Sequence, residues 1–589
     1  MVQQVLTQNN TMIEIEKKIR ETLAQAFEGA EVQPASFVVE HPVELSHGDY
    51  STNVALVVAK QLKAKPVDVA KLLVEKMNKA LPPEIASVSF AGPGFINFSL
   101  TSEFFRKSIV EILDQEESFG KNKNLAGTKA IIEYTDPNPF KVFHIGHLMN
   151  NTLGEVISRL FDWNGAEVTR ACYQGDVGLH IAKSLWGILK NIDAFPAETA
   201  PLSVKTKYLG DAYVFGTSQY EADATAKKEI EDINKKVYAF FDGKGVVDAE
   251  LERLYEIGKK WSMQHFDEIY AKLGTHFNHF IGESSVAGLA LEIVRKNVGP
   301  VFEESDGAIV YKGEQDGLHT RVFINSLGLP TYDAKDIGLA FRKEKIGHFD
   351  QSIVITASEQ QEYFKVMLAA LAKIDAKVAA KTKNITHGMM QFADGKMSSR
   401  KGNVISGDGL LAELAEVVSE KIADRNFDAT EAEEVKTMIA VAALKYSVLK
   451  QSPGKNIIFD REKALSFEGD SGPYIQYSCV RAKSVLEKAH DKKLVPNPRK
   501  LPEGWATRSL EKMLYRFPEL VEKALAEVTP QNIVTYVTQL AAEFNSFYAN
   551  EQIMDGTDAE GYRLAIVRAT LTVMANCLAI MGVRVPKRM

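Results

Sequence analysis

The sequence predicts an α/β protein: a doubly wound parallel sheet with a helical insertion, a small α+β domain before it and an all-α bundle after it. Strand, loop and helix follow one another repeatedly between residues 129 and 374, a pattern typical of a parallel sheet covered by helices. Apolar residues recur at helical spacing through the last third of the chain. A length of 589 residues allows about four domains at roughly 150 residues each.

The first part of the chain, residues 1–120, predicts the small α+β domain. Apolar side chains at helical spacing indicate one helix over residues 12–29, and a second helix is expected to begin at Pro66, because proline is favoured in the first helical turn. The side chains expected to be buried on the second helix are Val69, Leu72, Leu73 and Met77. The segment FAGPGFINFSL alternates like a strand, and the polar stretch 120–129 marks the end of the domain.

The middle domain, residues 121–405, contains three strand–helix units. IIEYT is a short apolar run of the kind buried in a parallel sheet, and the helix that follows it is expected to end at Gly165. AEVTRACYQG and LHIAKSLWGILKNI form the second unit. SIVITA, at 352–357, and the helix EQQEYFKVMLAALAKI form the third. These units predict the doubly wound sheet.

An insertion at about 200–325 separates the second unit from the third. It begins with a charged helical region, roughly 200–275, and continues with AIVYKGEQDGLHTRVFI, where the DG pair predicts the turn of a hairpin. From residue 406 to 589 the pattern is helical, as in the periodic series Val435, Met438, Ile439, Ala442, Tyr446 and Leu449. A helical bundle is therefore expected at the end of the chain.

Composition limits the possible classes of protein. The formal net charge of −7 does not suggest a uniformly basic nucleic-acid-binding surface, so any RNA contact must be local. Cys172, Cys479 and Cys577 lie too far apart for a disulfide framework or a zinc site, and we expect them to be reduced. No run approaches the roughly 20 apolar residues of a membrane span, and the polar opening MVQQVLTQNN lacks the layout of a secretory signal. We expect a cytoplasmic protein with no membrane contact and no zinc.

The loop after the first strand of the sheet carries the first candidate site, DPNPFKVFHIGHLMNN. His144, Gly146 and His147 stand where a helix begins, and a helix N-terminus at the carboxyl end of a parallel strand attracts phosphates. A glycine there lets a planar base approach the backbone. The alternative, ordinary capping or core histidines, stays open on these residues alone.

A second candidate site is the basic segment ADGKMSSRKGNVIS. Residues 377–403 hold six lysines and arginines against one acid, Asp394. Ammonium and guanidinium groups of this kind stabilise negative charge that develops on phosphate oxygens. The alternative is a solvated basic turn, but the local excess of positive charge favours an anionic ligand.

Together the two loops resemble the HIGH and KMSKS motifs of class I aminoacyl-tRNA synthetases, whose catalytic domain is Rossmann-like. The first motif matches letter for letter, whereas Ser399 stands at the second lysine of KMSKS, so that lysine's role would fall to Arg400 or Lys401. The resemblance implies catalytic roles for His144, Gly146, His147, Lys396, Arg400 and Lys401. It implies ATP binding by His144, Gly146, His147, Met397, Ser398 and Ser399.

Further motifs sharpen the resemblance to the arginyl-tRNA synthetases along nearly the whole chain: HGDYSTNVAL, EYTDPNPFKVFHIGH, YQGDVGLH, TYDAKDIG, KMSSRKGNVI, SGPYIQYSCVRAKS and VRVPKRM. The family's arginine pocket then falls at Glu133, Asn138, Tyr332, Asp336 and Gln360. Carboxylates accept the paired donors of a guanidinium, and a tyrosine covers its stem, so these residue types fit the ligand. Spacing alone leaves open that Glu133 and Asp336 pair with structural Arg or Lys.

The resemblance also implies the reaction and its partners. Arginine and ATP, the latter with Mg²⁺, would give arginyl-adenylate, and the arginyl group would pass to the terminal ribose of tRNA(Arg), with bound tRNA needed before activation. The first domain would contact the tRNA, and the final bundle would bind the anticodon through Tyr477, Tyr548 and Met589, although tyrosines at helical spacing are more often core residues. The resemblance favours a monomer.

Three competing functions remain to be weighed against this one. Another class I synthetase is the first, and a cysteinyl enzyme would carry zinc ligands that the sequence lacks. A small nucleotidyltransferase is the second, but it would lack the long helical C-terminal part. A catalytically silent RNA-binding or scaffold protein is the third, and it would be favoured by loss of His144, His147 or Lys396, all of which are present.

Overall fold

A computed structural model describes residues 11–28, 36–42, 44–242, 248–393 and 406–589. Its first part is an antiparallel sheet of order β1-β2-β4-β3 covered by helices. In chain order the elements are α1 (Thr11–Ala26), β1 (Val39–Glu40), β2 (Tyr50–Thr52), α2 (Val54–Leu62), α3 (Pro66–Met77), β3 (Ile85–Ala91), β4 (Phe95–Leu100) and α4 (Ser102–Gln115). Helix α3 begins at Pro66 as predicted. Leu72, however, is 55% exposed, because the buried face of α3 centres on Ala70 and Leu73.

The middle part holds the doubly wound sheet, as predicted. Its elements are β5 (Lys129–Glu133), α5 (Ile145–Trp163), β6 (Glu167–Gln174), α6 (Leu179–Lys190), α7 (Leu202–Ala222), α8 (Ala224–Asp242), α9 (Ala249–Leu273), β7 (His279–Gly282), α10 (Ser284–Lys296), β8 (Glu303–Ser305), β9 (Ala308–Tyr311), β10 (Arg321–Ile324), α11 (Tyr332–Ile346), β11 (Gln351–Ala357), α12 (Gln361–Ile374), α13 (Ala376–Lys381), β12 (Thr382–His387) and β13 (Met390–Phe392).

The order of the parallel strands indicates where a ligand-binding crevice lies. The five-stranded sheet runs β12-β11-β5-β6-β7, and every neighbouring pair is parallel. The chain winds away from β5 in one direction through β6 and β7 and in the other through β11 and β12. Ligands of such sheets bind outside the carboxyl ends of the strands where the winding reverses. Here that point lies between β5 and β11.

Helix α5 joins the sheet to the last part of the chain. Leu153, Val156, Ile157 and Leu160 are buried in one hydrophobic core that also contains side chains of the C-terminal helices. The helix is buried nearly all round because it packs against protein on both sides.

The insertion forms its own small cores. Helices α7, α8 and α9 pack with α6 around buried side chains that include Leu209, Ile230 and Leu254. The predicted hairpin is present as β9 and β10, which pair antiparallel. Its loop is longer than a two-residue turn: a short 3₁₀ helix ends at Asp316, and Gly317 follows with a φ of +69°.

The last part is helical, with elements α14 (Gly407–Lys421), α15 (Ala429–Leu449), β14 (Ile457–Phe459), α16 (Arg461–Ala464), α17 (Gly472–Asp491), α18 (Ser509–Leu514), α19 (Phe517–Ala526), α20 (Gln531–Asn550) and α21 (Glu560–Ile580). Strand β14 is the exception to the predicted bundle, and it pairs with β13 of the middle part. Helix α21 is long and apolar enough to cross a bilayer, which the sequence argument did not foresee, but 78% of its apolar window is buried inside the protein. It is the core helix of the bundle.

Candidate active site

The carboxyl end of β5 places a buried acid at the crevice. Glu133 is the last residue of the strand, and only 4% of it is exposed. Its Oε2 lies 2.5 Å from Nζ of Lys343, which reaches across from α11 and is itself 3% exposed. The sequence-based alternative for Glu133, a structural pair with a lysine, is therefore present in the molecule. The ammonium group of Lys343 therefore neutralises the charge of the Glu133 carboxylate.

Two further acids lie beside this pair without such a partner. Asp336 stands on α11, and Asp136 follows β5 in the loop. Burial and then the charge of Glu133 raise the pKa of both carboxyls well above the ordinary range. The charge of Glu133 acts on both carboxyls, so all three acids lie near one another at the carboxyl end of the sheet. Such an arrangement favours a cation.

The loop between β5 and α5 is strained where it enters the crevice. Thr135 has a φ of +81° and Asp136 a φ of +46°, a region that residues with a side chain avoid. Asn150 of α5 stabilises this strained backbone by two hydrogen bonds. Its Oδ1 accepts from Thr135 N at 2.8 Å, and its Nδ2 donates to Ile355 O at 2.8 Å. Asn151 donates to the Thr135 hydroxyl at 3.0 Å. The two asparagines thereby tie α5 to the ends of β5 and β11.

The remaining residues of the expected arginine pocket occupy different positions around the crevice. Asn138 packs so closely on Gly175 that a Cβ there would lie 2.1 Å from its Oδ1. Tyr332 opens α11 and is 61% exposed, and Nζ of Lys335 lies 4.6 Å from the centre of its ring. Gln360 is exposed directly after β11. A cleft of about 410 Å³ is lined by Tyr332, Lys335, His180 and Tyr213 among others.

The two histidines of the first motif form a compact unit at the start of α5. Their rings stack with centroids 3.6 Å apart, and the backbone N–H of His144 donates to Nδ1 of His147 at 3.1 Å. Burial lowers the pKa of His147 well below its ordinary value, so its ring is neutral. A Cβ on Gly146 would lie 2.9 Å from Cε1 of His144. The glycine thus leaves room for the histidine ring.

The basic segment with Lys396, Met397, Ser398, Ser399, Arg400 and Lys401 lies outside the described residues. Its two flanks are described. Strand β13 ends at Phe392 before it, and after it Ser406 forms a β-bridge with His144 while Gly407 N donates to Phe143 O at 2.6 Å. The chain therefore returns from this segment to the histidine motif.

The comparisons with known proteins agree along the chain. Residues 108–461 match the family model described as tRNA synthetases class I (R), catalytic domain. Residues 14–100 match an arginyl tRNA synthetase N terminal domain, and residues 475–589 match a DALR anticodon binding domain. The chain belongs to the arginyl-tRNA synthetase family. It is thus an enzyme, an arginine–tRNA ligase that uses ATP.

Individual relatives are similar over nearly their full length. The arginine–tRNA ligase of Clostridium acetobutylicum is 30% identical over 558 residues, covering 94% of this chain and 96% of that protein. That of Clostridium perfringens is 29% identical over 571 residues, covering 95% and 97%. The solved arginyl-tRNA synthetase of Thermus thermophilus has a TM-score of 0.77 at 25% identity, covering 97% of this chain and 100% of that chain.

In this arginyl-tRNA synthetase the expected anticodon residues fall into two places. Tyr477 of α17 and Tyr548 of α20 flank Arg481, whose guanidinium carbon lies 4.8 Å and 5.2 Å from the two ring centres. Tyr548 is 40% exposed, so this cluster presents an aromatic surface. Met589 packs instead against the hydrophobic core formed by α14 and α15.

Sequence reasoning missed Asp136 and Asn150. Asp136 stood in the quoted motif without a role, and Asn150 followed the histidines on the same helix. The signal for both was a polar run at the carboxyl end of a buried strand.

No group of three or more His, Cys, Asp or Glu side chains that could hold a metal ion occurs in the part of the chain that the structure describes.

Proposed function

We propose that the enzyme activates L-arginine with ATP at the crevice between β5 and β11 and transfers the arginyl group to the 3′-terminal ribose of tRNA(Arg). The observation that supports this proposal is the position of Glu133, Asp136 and Asp336 at the carboxyl end of the sheet: Glu133 is held by Lys343 of α11, the helix that also carries Asp336, and Asp136 follows β5. Carboxylates without a counter-ion at this place favour a cationic side chain. In the first step the carboxylate of arginine attacks the α-phosphorus of ATP, and pyrophosphate leaves. In the second step a ribose hydroxyl attacks the activated carbonyl, and AMP leaves.

The arginine pocket in this proposal consists of Glu133, Asn138, Tyr332, Asp336 and Gln360. A guanidinium has five donors in one plane, and carboxylates accept them in pairs. Acceptors left unpaired by lysine or citrulline would cost about 1–3 kcal/mol each, which is how such a pocket rejects them. The tyrosine ring covers the cation and its stem.

The ATP site in this proposal is formed by the two stacked histidines, Gly146 and the basic segment. His144 stands at the N-terminus of α5, where backbone N–H groups and the helix dipole favour phosphate. Lys396, Arg400 and Lys401 would stabilise the charge of the leaving pyrophosphate, with Met397, Ser398 and Ser399 close to the nucleotide. No side chain forms a covalent intermediate, so positioning and charge carry the catalysis. Mg²⁺ enters only as the counter-ion of ATP.

The tRNA contacts complete the proposal. Residues 1–120 and 406–589 would hold the tRNA around a catalytic domain at 121–405, with Tyr477 and Tyr548 stacking on anticodon-loop bases and Met589 near them. We further propose that the enzyme acts in the cytoplasm as a monomer and requires bound tRNA to activate arginine.

Pyrophosphate exchange with each of the twenty amino acids, with and without total tRNA, tests the proposal. We expect exchange with arginine alone, and only when tRNA is present. Exchange with another amino acid, or no exchange under either condition, would contradict it.

A further inference from the structure

The first and last parts of the chain share a buried contact. Tyr515, which lies between α18 and α19, is 1% exposed and belongs to the hydrophobic core of the first part. The ring centres of Phe104 and Phe105 each lie 5.5 Å from the centre of its ring. Close to this core the hydroxyls of Ser102 and Thr507 lie 2.8 Å apart. The two parts that the proposed function assigns to tRNA binding are therefore packed directly together.

One histidine side chain spans this contact. His41 follows β1, and 16% of its side chain is exposed. Its Nε2 lies 3.0 Å from Oε2 of Glu519 on α19, and its Nδ1 lies 2.7 Å from the backbone oxygen of Asp49. His41 and Glu519 are 478 positions apart in the sequence, so this hydrogen bond joins the first part of the enzyme to the last.

Both atoms that face the His41 ring at these distances are acceptors. A carbonyl oxygen and an ionised carboxylate cannot donate, and a neutral imidazole has a single N–H group. The ring therefore makes both hydrogen bonds only as the imidazolium. A neutral ring that keeps its bond to Glu519 turns the lone pair of Nδ1 toward the oxygen of Asp49, which is repulsive. The Tyr515 hydroxyl, 3.4 Å from Nδ1, can then donate to that lone pair instead.

The groups around His41 keep their charges while histidines titrate, between about pH 5 and 8. Burial opposes the charge of Glu519, but the hydrogen bond and charge of His41, together with Lys523, bring the pKa of this carboxyl down to about 2. Burial raises the pKa of Tyr50 and of Tyr515 well above neutral. The titratable and charged groups around the contact are Glu16 of α1, Asp49, Tyr50, Lys512 of α18, Tyr515, Arg516, and Glu519 and Lys523 of α19.

We propose that His41 is a positioning residue for tRNA: as an imidazolium it fixes the first part of the enzyme against α19, and loss of one ring proton loosens this attachment. The inference rests on the proposed function, in which both parts contact the tRNA. Two surfaces held in a fixed relation bind one RNA more tightly than two that move separately, because less freedom is lost when the second surface binds. The affinity for tRNA should therefore fall as pH rises and the ring loses a proton.

The test measures the dissociation constant of labelled tRNA(Arg) by fluorescence anisotropy between about pH 5.5 and 8.5. The proteins compared are the wild type, His41→Gln and His41→Arg. Loss of one hydrogen bond to a charged group predicts an increase of up to about tenfold in the wild-type constant from the acid to the alkaline end.

The two variants fix the side chain in opposite charge states. Glutamine is neutral at every pH, so His41→Gln should bind tRNA throughout as the wild type does at the alkaline end. Arginine stays charged and has donors for both acceptors, so His41→Arg should keep tight binding at the alkaline end. The kcat for charging at saturating tRNA should be the same in all three proteins.

The control is His348→Gln. His348 is exposed before β11, at the opposite end of the sheet from the crevice, and this variant should follow the wild type at each pH. The comparison removes any pH dependence that belongs to the RNA itself. A His41→Gln enzyme with the same pH dependence as His348→Gln would overturn the inference. A wild type that does not bind tRNA(Arg) at any pH would instead overturn the proposed function.

Hydrogen exchange of the wild type alone tests the same contact without tRNA and without a variant. Protection factors, which correct for the intrinsic effect of pH on exchange, should fall as pH rises in the peptides that contain β2 and the start of α19. The peptides of α12, in the catalytic domain, are the reference and should keep their protection. Protection that changes equally in both sets, or in neither, would overturn the inference.

Discussion

Lys343 and Glu133 form a buried ion pair, with Nζ of the lysine 2.5 Å from Oε2 of the glutamate. The lysine comes from α11 and the glutamate from the end of β5, so the pair joins the helix that carries Asp336 to the centre of the sheet. Lys343 also lies 3.4 Å from the Ser352 hydroxyl of β11. The cation therefore fixes two sides of the crevice and offsets one of its acids.

Lys343→Met should destabilise the catalytic domain, because it leaves the carboxylate of Glu133 buried without its counter-ion. Removal of one partner from such a pair costs about 3–5 kcal/mol, and urea unfolding measures the loss. Adding Glu133→Gln should recover part of it, since the unpaired charge is then gone. Lys312→Met, which removes an exposed pair with Glu303, should cause no measurable change. A Lys343→Met protein as stable as the wild type would contradict the pairing.

Gly146→Ala should impair ATP use. The added Cβ would lie 2.9 Å from Cε1 of His144 and 3.0 Å from its Nδ1, so the imidazole must move. Displacement of a positioning group by about 1 Å costs about a hundredfold in rate, and we expect a loss of this order in kcat/KM for ATP. The control is Gly288→Ala on α10, where a Cβ meets nothing within 4 Å. Equal kinetics for both variants would show that the His144 ring does not act on ATP.

Tyr548→Ala should weaken tRNA binding. If the ring stacks on an anticodon-loop base, its loss costs about 1–3 kcal/mol, which is about five- to a hundredfold in the dissociation constant. Tyr548→Phe keeps the stacking surface and should bind nearly as the wild type does. Fluorescence anisotropy with labelled tRNA(Arg) measures both. Unchanged binding by the alanine variant would assign Tyr548 to the support of Arg481 alone.

Lys445 should make stability depend on pH. It is fully buried, donates to Leu273 O at 2.7 Å and Gly582 O at 2.8 Å, and burial lowers its pKa from 10.5 to about 7. Between these two values the unfolded chain binds the proton and the folded enzyme does not, so stability rises with pH.

The slope due to Lys445 should approach about 1.4 kcal/mol per pH unit above pH 7. Urea unfolding of the wild type and Lys445→Met at about pH 5.5, 6.5, 7.5 and 8.5 isolates this contribution as the difference between the two proteins. The difference should change with pH above 7 and be flat below it. A constant difference across this range would mean that Lys445 stays charged in the folded enzyme.

The fold could be predicted from the sequence because local patterns determine its main elements. Buried strands appear as apolar runs such as IIEYT, and α5 ends before Gly165, whose φ of +89° favours glycine. Leu72 was predicted wrongly because spacing shows that a helix has an apolar face but not where that face is centred. The order of the strands also had to come from the structure, since a linear pattern does not say on which side of β5 each unit packs.

The details of the site depend on contacts between distant parts of the chain. The sequence pointed to Glu133 and Asp336 as pocket acids but did not show that Lys343 forms its ion pair with Glu133. It did not show that Asn150 supports the strained Thr135, because a side chain that bonds to backbone from another element leaves no periodic signal. The resemblance placed residues in a pocket, and only the geometry separated paired acids from unpaired ones.

The most direct test of the account is the effect of Asp336→Ala on the two small substrates. KM for arginine and KM for ATP should be measured in tRNA-dependent pyrophosphate exchange. Because Asp336 is proposed to accept the guanidinium, we expect KM for arginine to rise by at least about a hundredfold, with KM for ATP unchanged. A loss confined to ATP affinity would contradict the assignment of the pocket.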